Sequence, residues 1–266
     1  MYCVPLTEYL ANADAALDFV KAAFADQHAR HPEIPVGECL KKRTFLRSLV
    51  GPDYPDFMDQ AALFAESGAD ALEALRPELH RIMEERHSAV LQEEVIHCFR
   101  YEVDAAGRCY FHIRNPKMPE SFLDDEAFVI AEFRRIMDEA AARHGCRELY
   151  TVTWLNSLAR FQHFFPAEWL ENMNTLPADN VGPTLGWQGQ FINRKGLLNR
   201  QTADYYLQYG VLRYPRAESS CPLDSDFHPV RQTYQTASFA TDPSAVYTVH
   251  PRTIGFHNGY FFVSYY

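Results

Sequence analysis

The sequence predicts an α/β protein of mixed (α+β) type, with a helical N-terminal region over 1–94 and a mixed sheet with flanking helices over 95–266. Three observations carry that expectation. Apolar residues recur at helical spacing through the first part of the chain, and the period changes near Val95. Glu148 to Trp154 then forms a short β-branched and aromatic run of the kind that makes a buried strand. No linker, internal repeat or low-complexity stretch separates the two parts, so one integrated domain is expected. A chain of 266 residues, 47% of them hydrophobic, buries roughly 70–75% of its unfolded surface and needs no staples to hold a core.

The first helix is expected from Thr7, a good cap, to Arg30, because Leu10, Ala13, Leu17, Val20 and Phe24 alternate steps of three and four. His31-Pro32-Glu33-Ile34-Pro35 breaks it. A second helix is expected over Glu38–Val50, stopped by Gly51-Pro52, and a third over Asp56–Glu66, stopped at Gly68. A fourth begins near Asp70, takes Pro77 in its early part and continues through Glu94.

The segments Val95–Val103 and Arg108–Arg114 flank Asp104-Ala105-Ala106-Gly107, a hairpin signal. With Val103 opposite Arg108, His97, Phe99 and Tyr101 would share a face with Tyr110, His112 and Arg114. His97 and His112 would then be diagonal neighbours, roughly 7–8 Å apart at the backbone. Pro116 and Pro119 make the next stretch a loop. An amphipathic helix follows from Asp124, closed by His144-Gly145, and then the strand Glu148–Trp154. Asn156 is expected to cap a helix over Ser157–Phe165, and Pro166 starts another through Met173. The alternation in Gly186–Asn193 reads as a strand, with Gly189 allowing close approach of another group. A helix is expected over Arg200–Tyr209, an irregular polar stretch over Arg216–Pro229, and closing strands at Gln232–Phe239, Ala245–His250 and Gly259–Tyr266.

The net charge of -10 argues against nucleic acid as a partner, since phosphate binding needs clustered Lys and Arg. The densest basic run, Lys41-Lys42-Arg43-Thr44-Phe45-Leu46-Arg47, reads as a solvated helix face or a local anion site. The 6 cysteines are scattered without C-x-x-C spacing, which fits free thiols in a reducing compartment. The N-terminus has neither a basic nor an apolar leader region. No apolar run approaches the ~20 residues needed to span a bilayer. A cytoplasmic protein without a membrane partner is therefore expected, acting on a small molecule. The aromatic end, Tyr260 to Tyr266, is either an internal strand or an edge that pairs with a second copy in a homo-oligomer.

The run Leu149-Tyr150-Thr151-Val152-Thr153-Trp154-Leu155-Asn156-Ser157-Leu158-Ala159-Arg160-Phe161, set within the order hairpin, helix, strand, helix, strand across Val95–Asn193, resembles the core of the GNAT-type N-acyltransferases. It looks like that family's strand followed by an Asn, and by an Ala three residues later, at a helix start. The resemblance covers well under half the chain. It implies a gap between two strands that holds the pantetheine arm of acyl-CoA, so acyl-CoA is the cofactor it suggests. That family also cradles the CoA pyrophosphate with a glycine-rich turn at a helix N-terminus. Here the same place reads Arg114-Asn115-Pro116-Lys117-Met118-Pro119-Glu120-Ser121-Phe122, with two prolines and no glycine. Gln162, His163 and Phe164 stand where the family has a tyrosine.

Candidate residues gather where strands end, because loops held by a rigid sheet commonly carry function. In N-acyl transfer the attacking amine needs a base within hydrogen-bond reach, and His112 or Glu120 is the candidate. Arg114, Asn115 and Ser121 lie beside them. Trp154, Asn156 and Arg160 stand at the end of the next strand, where an open α/β sheet binds ligands. Trp187 and Gln190 add an aromatic plate and an amide suited to a polar ligand. Each has a plainer reading: His112 as a hydrogen-bonded sheet residue, Trp154 as core, Asn156 as a cap, Arg160 as surface.

Two other classes stay open. One is a non-catalytic ligand- or partner-binding protein. The other is a metal-dependent oxygenase or hydrolase assembled from His97, His112, His228, His250 or His257, although no metal-ligand spacing is present. Motifs of serine hydrolases, P-loop proteins and dinucleotide binders are absent.

Overall fold

The computed structural model describes residues 4–51, 53–90, 97–117, 120–182, 185, 189–191 and 197–224, with backbone alone at 88–90. The expected strands beyond Gln232 lie outside these residues, as do His228, His250 and His257. Helix α1 spans Leu6–Arg30 and buries Ala13, Leu17, Val20 and Phe24, the stripe that its spacing predicts. It begins one residue before Thr7, after Pro5, and has no side-chain cap.

The helix expected over Glu38–Val50 is two: α2, Val36–Arg43, and α3, Leu46–Val50. Thr44 breaks it in an extended conformation. Its hydroxyl donates to the Leu40 carbonyl and accepts from the Leu46 amide at 3.3 Å, so the side chain competes with the helical ladder. The break also lets Leu40, Phe45 and Leu46 all be buried, which one continuous helix face cannot do. Helix α4, Pro55–Ala65, starts with Pro at its first turn. A 3₁₀ segment, Ala69–Leu75, then leads into α5, Arg76–Val90, where the sequence predicts one helix throughout.

The sheet begins with β1, Phe99–Val103, and β2, Cys109–Ile113, paired antiparallel with Val103 opposite Cys109. The expected register set Val103 against Arg108. Asp104 makes the difference: its carboxylate accepts from the amides of Ala106 and Arg108, each at 2.9 Å, and draws Arg108 into the loop. A one-residue slip turns the strand over. Phe99 and Tyr101 therefore face the same side as Cys109 and Phe111, while His112 faces the other. His97 bonds Glu132 at 2.9 Å on the buried side and is no diagonal neighbour of His112.

Helix α6, Glu126–His144, is capped by Asp125, which accepts from the Phe128 amide, and ends at Gly145 with φ +66°. It connects β2 to a parallel neighbour, β3, Glu148–Thr153. A 3₁₀ turn, Trp154–Ser157, follows, with α7, Ala159–Gln162, and α8, Ala167–Glu171. Asn156 caps neither helix. Thr153 caps the 3₁₀ turn, and Asn156 is wholly buried inside it.

A two-residue strand β4, Asn174–Thr175, pairs with β5, Ala217–Pro222, giving the order β1-β2-β3-β5-β4. β5 lies inside the stretch expected to be irregular. Its inward residues are Ala217, Ser219 and Cys221, small side chains that admit α8 closely and give no apolar alternation to read. Gly189–Phe191, within the expected strand Gly186–Asn193, is a turn. Helix α9, Arg200–Tyr209, has the predicted bounds, capped by Asn199 and ended by Gly210.

Two apolar cores result. Helices α1 to α5 and α9 bury Leu17, Phe24, Leu40, Phe45, Phe191 and Tyr206 in one. Helices α6 to α8 and one face of the sheet bury Phe99, Phe111, Phe133, Phe165 and Trp169 in the other, with Phe99 on Phe133 at 4.1 Å and Phe165 on Trp169 at 4.0 Å. Among the described residues no helix is long and apolar enough to cross a membrane.

Candidate functional site

Alternate residues of the sheet point away from α6 to α8. Tyr110 and His112 of β2, Tyr150 and Val152 of β3, and Glu218 and Ser220 of β5 form this face, and all are half-buried or exposed. Tyr110 lies beside Tyr150 in register, with ring centres 5.5 Å apart, and its ring is 4.7 Å from that of His112. Trp154 directly follows β3 and Arg216 directly precedes β5, so both stand at the same end. The Trp154 ring packs 5.8 Å from Tyr214. Together these groups make an aromatic floor that runs from Tyr110 and Tyr150, in the amino halves of the two parallel strands, to Trp154 and Arg216 at the carboxyl end of β3.

Several charged groups on this floor have partners among the described residues. Arg108 lies 3.5 Å over the Tyr150 ring and pairs with Asp104 at 2.8 Å. Glu218 accepts from Asn174 at 2.8 Å and from the Tyr150 hydroxyl at 2.9 Å; these bonds hold its carboxyl below the usual range. His112 sits 3.3 Å from Glu102. Burial raises the Tyr110 and Tyr150 phenols, so both are neutral donors at physiological pH. Among the described residues the Arg216 guanidinium makes one hydrogen bond, donated to the side-chain oxygen of Asn180 at 3.4 Å, and no ion pair. Burial pulls its pKa down. A guanidinium stays charged regardless, so the face presents a half-buried cation that lacks a counter-charge among the described residues.

Several residues expected at the site have structural partners instead. The Asn156 amide donates to the Ala217 carbonyl at 2.8 Å and accepts from the Trp169 indole at 3.3 Å. Gln190 is wholly buried and holds both backbone groups of Tyr214, at 3.1 and 3.2 Å. Arg160 pairs with Asp124. Asn115 bonds within its own loop, accepting from the Lys117 amide at 3.0 Å and donating to the Glu120 carbonyl at 2.7 Å. Ser121 is buried before a 3₁₀ turn, and Arg114 and Glu120 are exposed. His112 and Trp154 are the two of the expected set that share the open face. Trp187 lies outside the described residues. The group that Gly189 admits is Trp154: a Cβ on Gly189 would stand 3.4 Å from the indole nitrogen.

The loop before α6 is poorly furnished for an anion. Its Lys117 and Glu120 amides are already bonded, and Lys117 is held by Asp125. Asp124, Asp125 and Glu126 crowd the helix start with negative charge, opposing a pyrophosphate there.

Among the described residues no three His, Cys, Asp or Glu gather as metal ligands. Nor do Cys39, Cys109 and Cys221 resemble nucleophiles. Burial pushes the thiol of Cys39 to about 11 and those of Cys109 and Cys221 to about 12, leaving negligible thiolate.

Tyr110, Tyr150, Glu102, Glu218 and Arg216 were not legible as site residues. The alternation Tyr150, Val152, Trp154 is a signal that could have joined Tyr150 to Trp154. Arg216 had none, because β5 was unread. Compared with protein-family models, curated proteins and solved structures, the chain matches none.

Proposed function

We propose that this protein binds a small organic anion with a flat or apolar body on the open face of its sheet. Arg216 takes the anionic group, and Tyr110, Tyr150 and Trp154 take the body. The observation that carries this reading is the half-buried Arg216 without an ion pair among the described residues, beside two neutral phenols. Leaving such a cation unmatched costs free energy that an anionic ligand returns. Trp154 and Arg216 stand at the carboxyl end of β3, where open α/β sheets take their ligands.

The test is thermal-shift titration with benzoate and phenyl phosphate. A ligand at 100 times its dissociation constant stabilises the folded state by about 2.7 kcal/mol. Wild-type protein should show a saturable rise that Arg216→Met removes and His112→Ala does not. No shift with either probe at millimolar concentration, or a shift that survives Arg216→Met, would sink the proposal.

N-acyl transfer from acyl-CoA is the second reading, and a specific observation favours it. The parallel strands β2 and β3 pair over only two residue pairs, Cys109 with Leu149 and Tyr110 with Tyr150. The Thr151 hydroxyl then takes up the Phe111 carbonyl, at 2.8 Å, in place of a continued ladder. A gap of that kind is what the family resemblance implies for the acyl carrier, and His112 with Glu102 would supply the base. The acidic, glycine-free loop before α6 weighs against it. A saturable shift with acetyl-CoA, together with turnover of an amine that His112→Ala abolishes, would bring this reading forward.

A further inference from the structure

A second ligand site belongs to the helical half, and nothing in the reading of the sheet face depends on it. Between α2, α3 and α4 lies a cavity of about 440 Å³, within the range that takes small molecules. Pro35, Pro55 and Met58 give it apolar walls, and two cations, Lys41 and Arg47, line it. Both are half-buried. Neither makes an ion pair among the described residues. Of the carboxylates that share the lining, Glu38 holds Lys42 at 2.7 Å, with Lys41 adding to the positive field that lowers its pKa, and Asp59 is exposed to water at the rim.

The break at Thr44 is what brings these cations together. Six residues apart on a continuous helix, Lys41 and Arg47 would stand roughly 120° apart around the axis, aimed at different surroundings. Thr44 ends α2 and restarts the chain as α3, and the two side chains then line one cavity. Charge and shape thus converge on one ligand class. Lys41 offers a point charge and Arg47 a planar fork, a pair suited to a tetrahedral or planar oxyanion. The apolar walls ask for a short hydrocarbon portion.

We infer that the cavity between α2, α3 and α4 is a binding site for a small organic anion, headed by phosphate or carboxylate, with Lys41 and Arg47 as its counter-ions. The probes are n-butyl phosphate and butanoate, with inorganic phosphate as the bare-anion control, titrated calorimetrically into the full chain. Saturable binding of one butyl probe is expected, weakened about tenfold or more by Lys41→Met and by Arg47→Met, a loss of at least about 1.4 kcal/mol. Arg216→Met should leave it unchanged, which separates this site from the sheet face. Acetylation mapped by mass spectrometry tests the same point without any variant. The bound probe should protect Lys41 and leave Lys42 reactive. Absence of saturable heat at millimolar probe, or binding with Lys41 as reactive as before, would overturn the inference.

Discussion

Glu132 shows how one buried carboxylate ties a helix to a strand. It accepts from His97 at 2.9 Å, from the Cys98 amide at 3.0 Å and from Arg135 at 3.0 and 3.1 Å, while Arg135 also bonds the Phe99 carbonyl. Burial alone would raise this carboxyl; the bonds from Arg135 and His97 outweigh it and hold the pKa below the ordinary value. A depressed carboxyl contributes stability that is fully present above its unfolded value of about 4.3. That contribution is lost as pH falls through the lower folded value. Glu132→Gln should therefore cost about 2–3 kcal/mol at pH 7, as expected for charged hydrogen bonds, and should flatten the acid limb of stability against pH. Urea denaturation from pH 7 to pH 3 reads both, and an unchanged acid limb would show that the carboxylate is not the group responsible. Arg216, by contrast, has no ion pair among the described residues, and that is why it marks a site where Glu132 marks a joint.

At the scale of the element, helix ends make a controlled comparison. α6 stops at Gly145 and α9 at Gly210, with φ of +66° and +73°, the left-handed conformation that disfavours a side chain. A Cβ on Gly145 would meet nothing within 4 Å, whereas one on Gly210 would stand 2.8 Å from the Arg30 Nε. Gly145→Ala should thus cost only the backbone strain, about 1 kcal/mol. Gly210→Ala should cost more, because it must also push the Arg30 guanidinium aside. In an Arg30→Ala background the excess should disappear. A double-mutant cycle by chemical denaturation measures that coupling, and zero coupling would refute the close approach. The same local logic explains Thr44 and Asp104. One short polar side chain bonded to nearby backbone stopped a helix, and another lengthened a turn by a residue.

In the whole molecule, the two apolar cores meet through a polar seam. Gln190 clamps Tyr214, and Asn199 donates to the Gln190 carbonyl at 2.9 Å. Within the helical core, Gln27 reaches the Gly210 carbonyl at 3.2 Å, and the Tyr206 hydroxyl donates to the Arg43 carbonyl at 3.1 Å. A buried amide that satisfies backbone groups is costly to replace by an apolar one. Gln190→Leu should destabilise by about 2–3 kcal/mol and separate the thermal transition into two. A single, unshifted transition in calorimetry would show that the seam couples nothing.

The sequence by itself determined most of the helices and much of the first core, since these depend on neighbours within a few residues, but Thr7 and Asn156 do not cap as their types suggest, and Thr44 divides one expected helix in two. The stripe on α1, the bounds of α9 and the stop at Gly145 could all be read from spacing and from residue types with a local job. It also placed β3 and the hairpin. Only the tertiary structure decided the hairpin register, the membership of β5 in the sheet and the face that each strand turns outward. Strand pairing is a contact between distant segments, and an error of one residue exchanges the two faces. β5 carries small inward residues whose partner, α8, is remote in sequence. The site followed the same division. His112 and Trp154 were legible at strand ends, but the meaning of Arg216 rests on the lack of an ion pair among the described residues, which no local pattern can express.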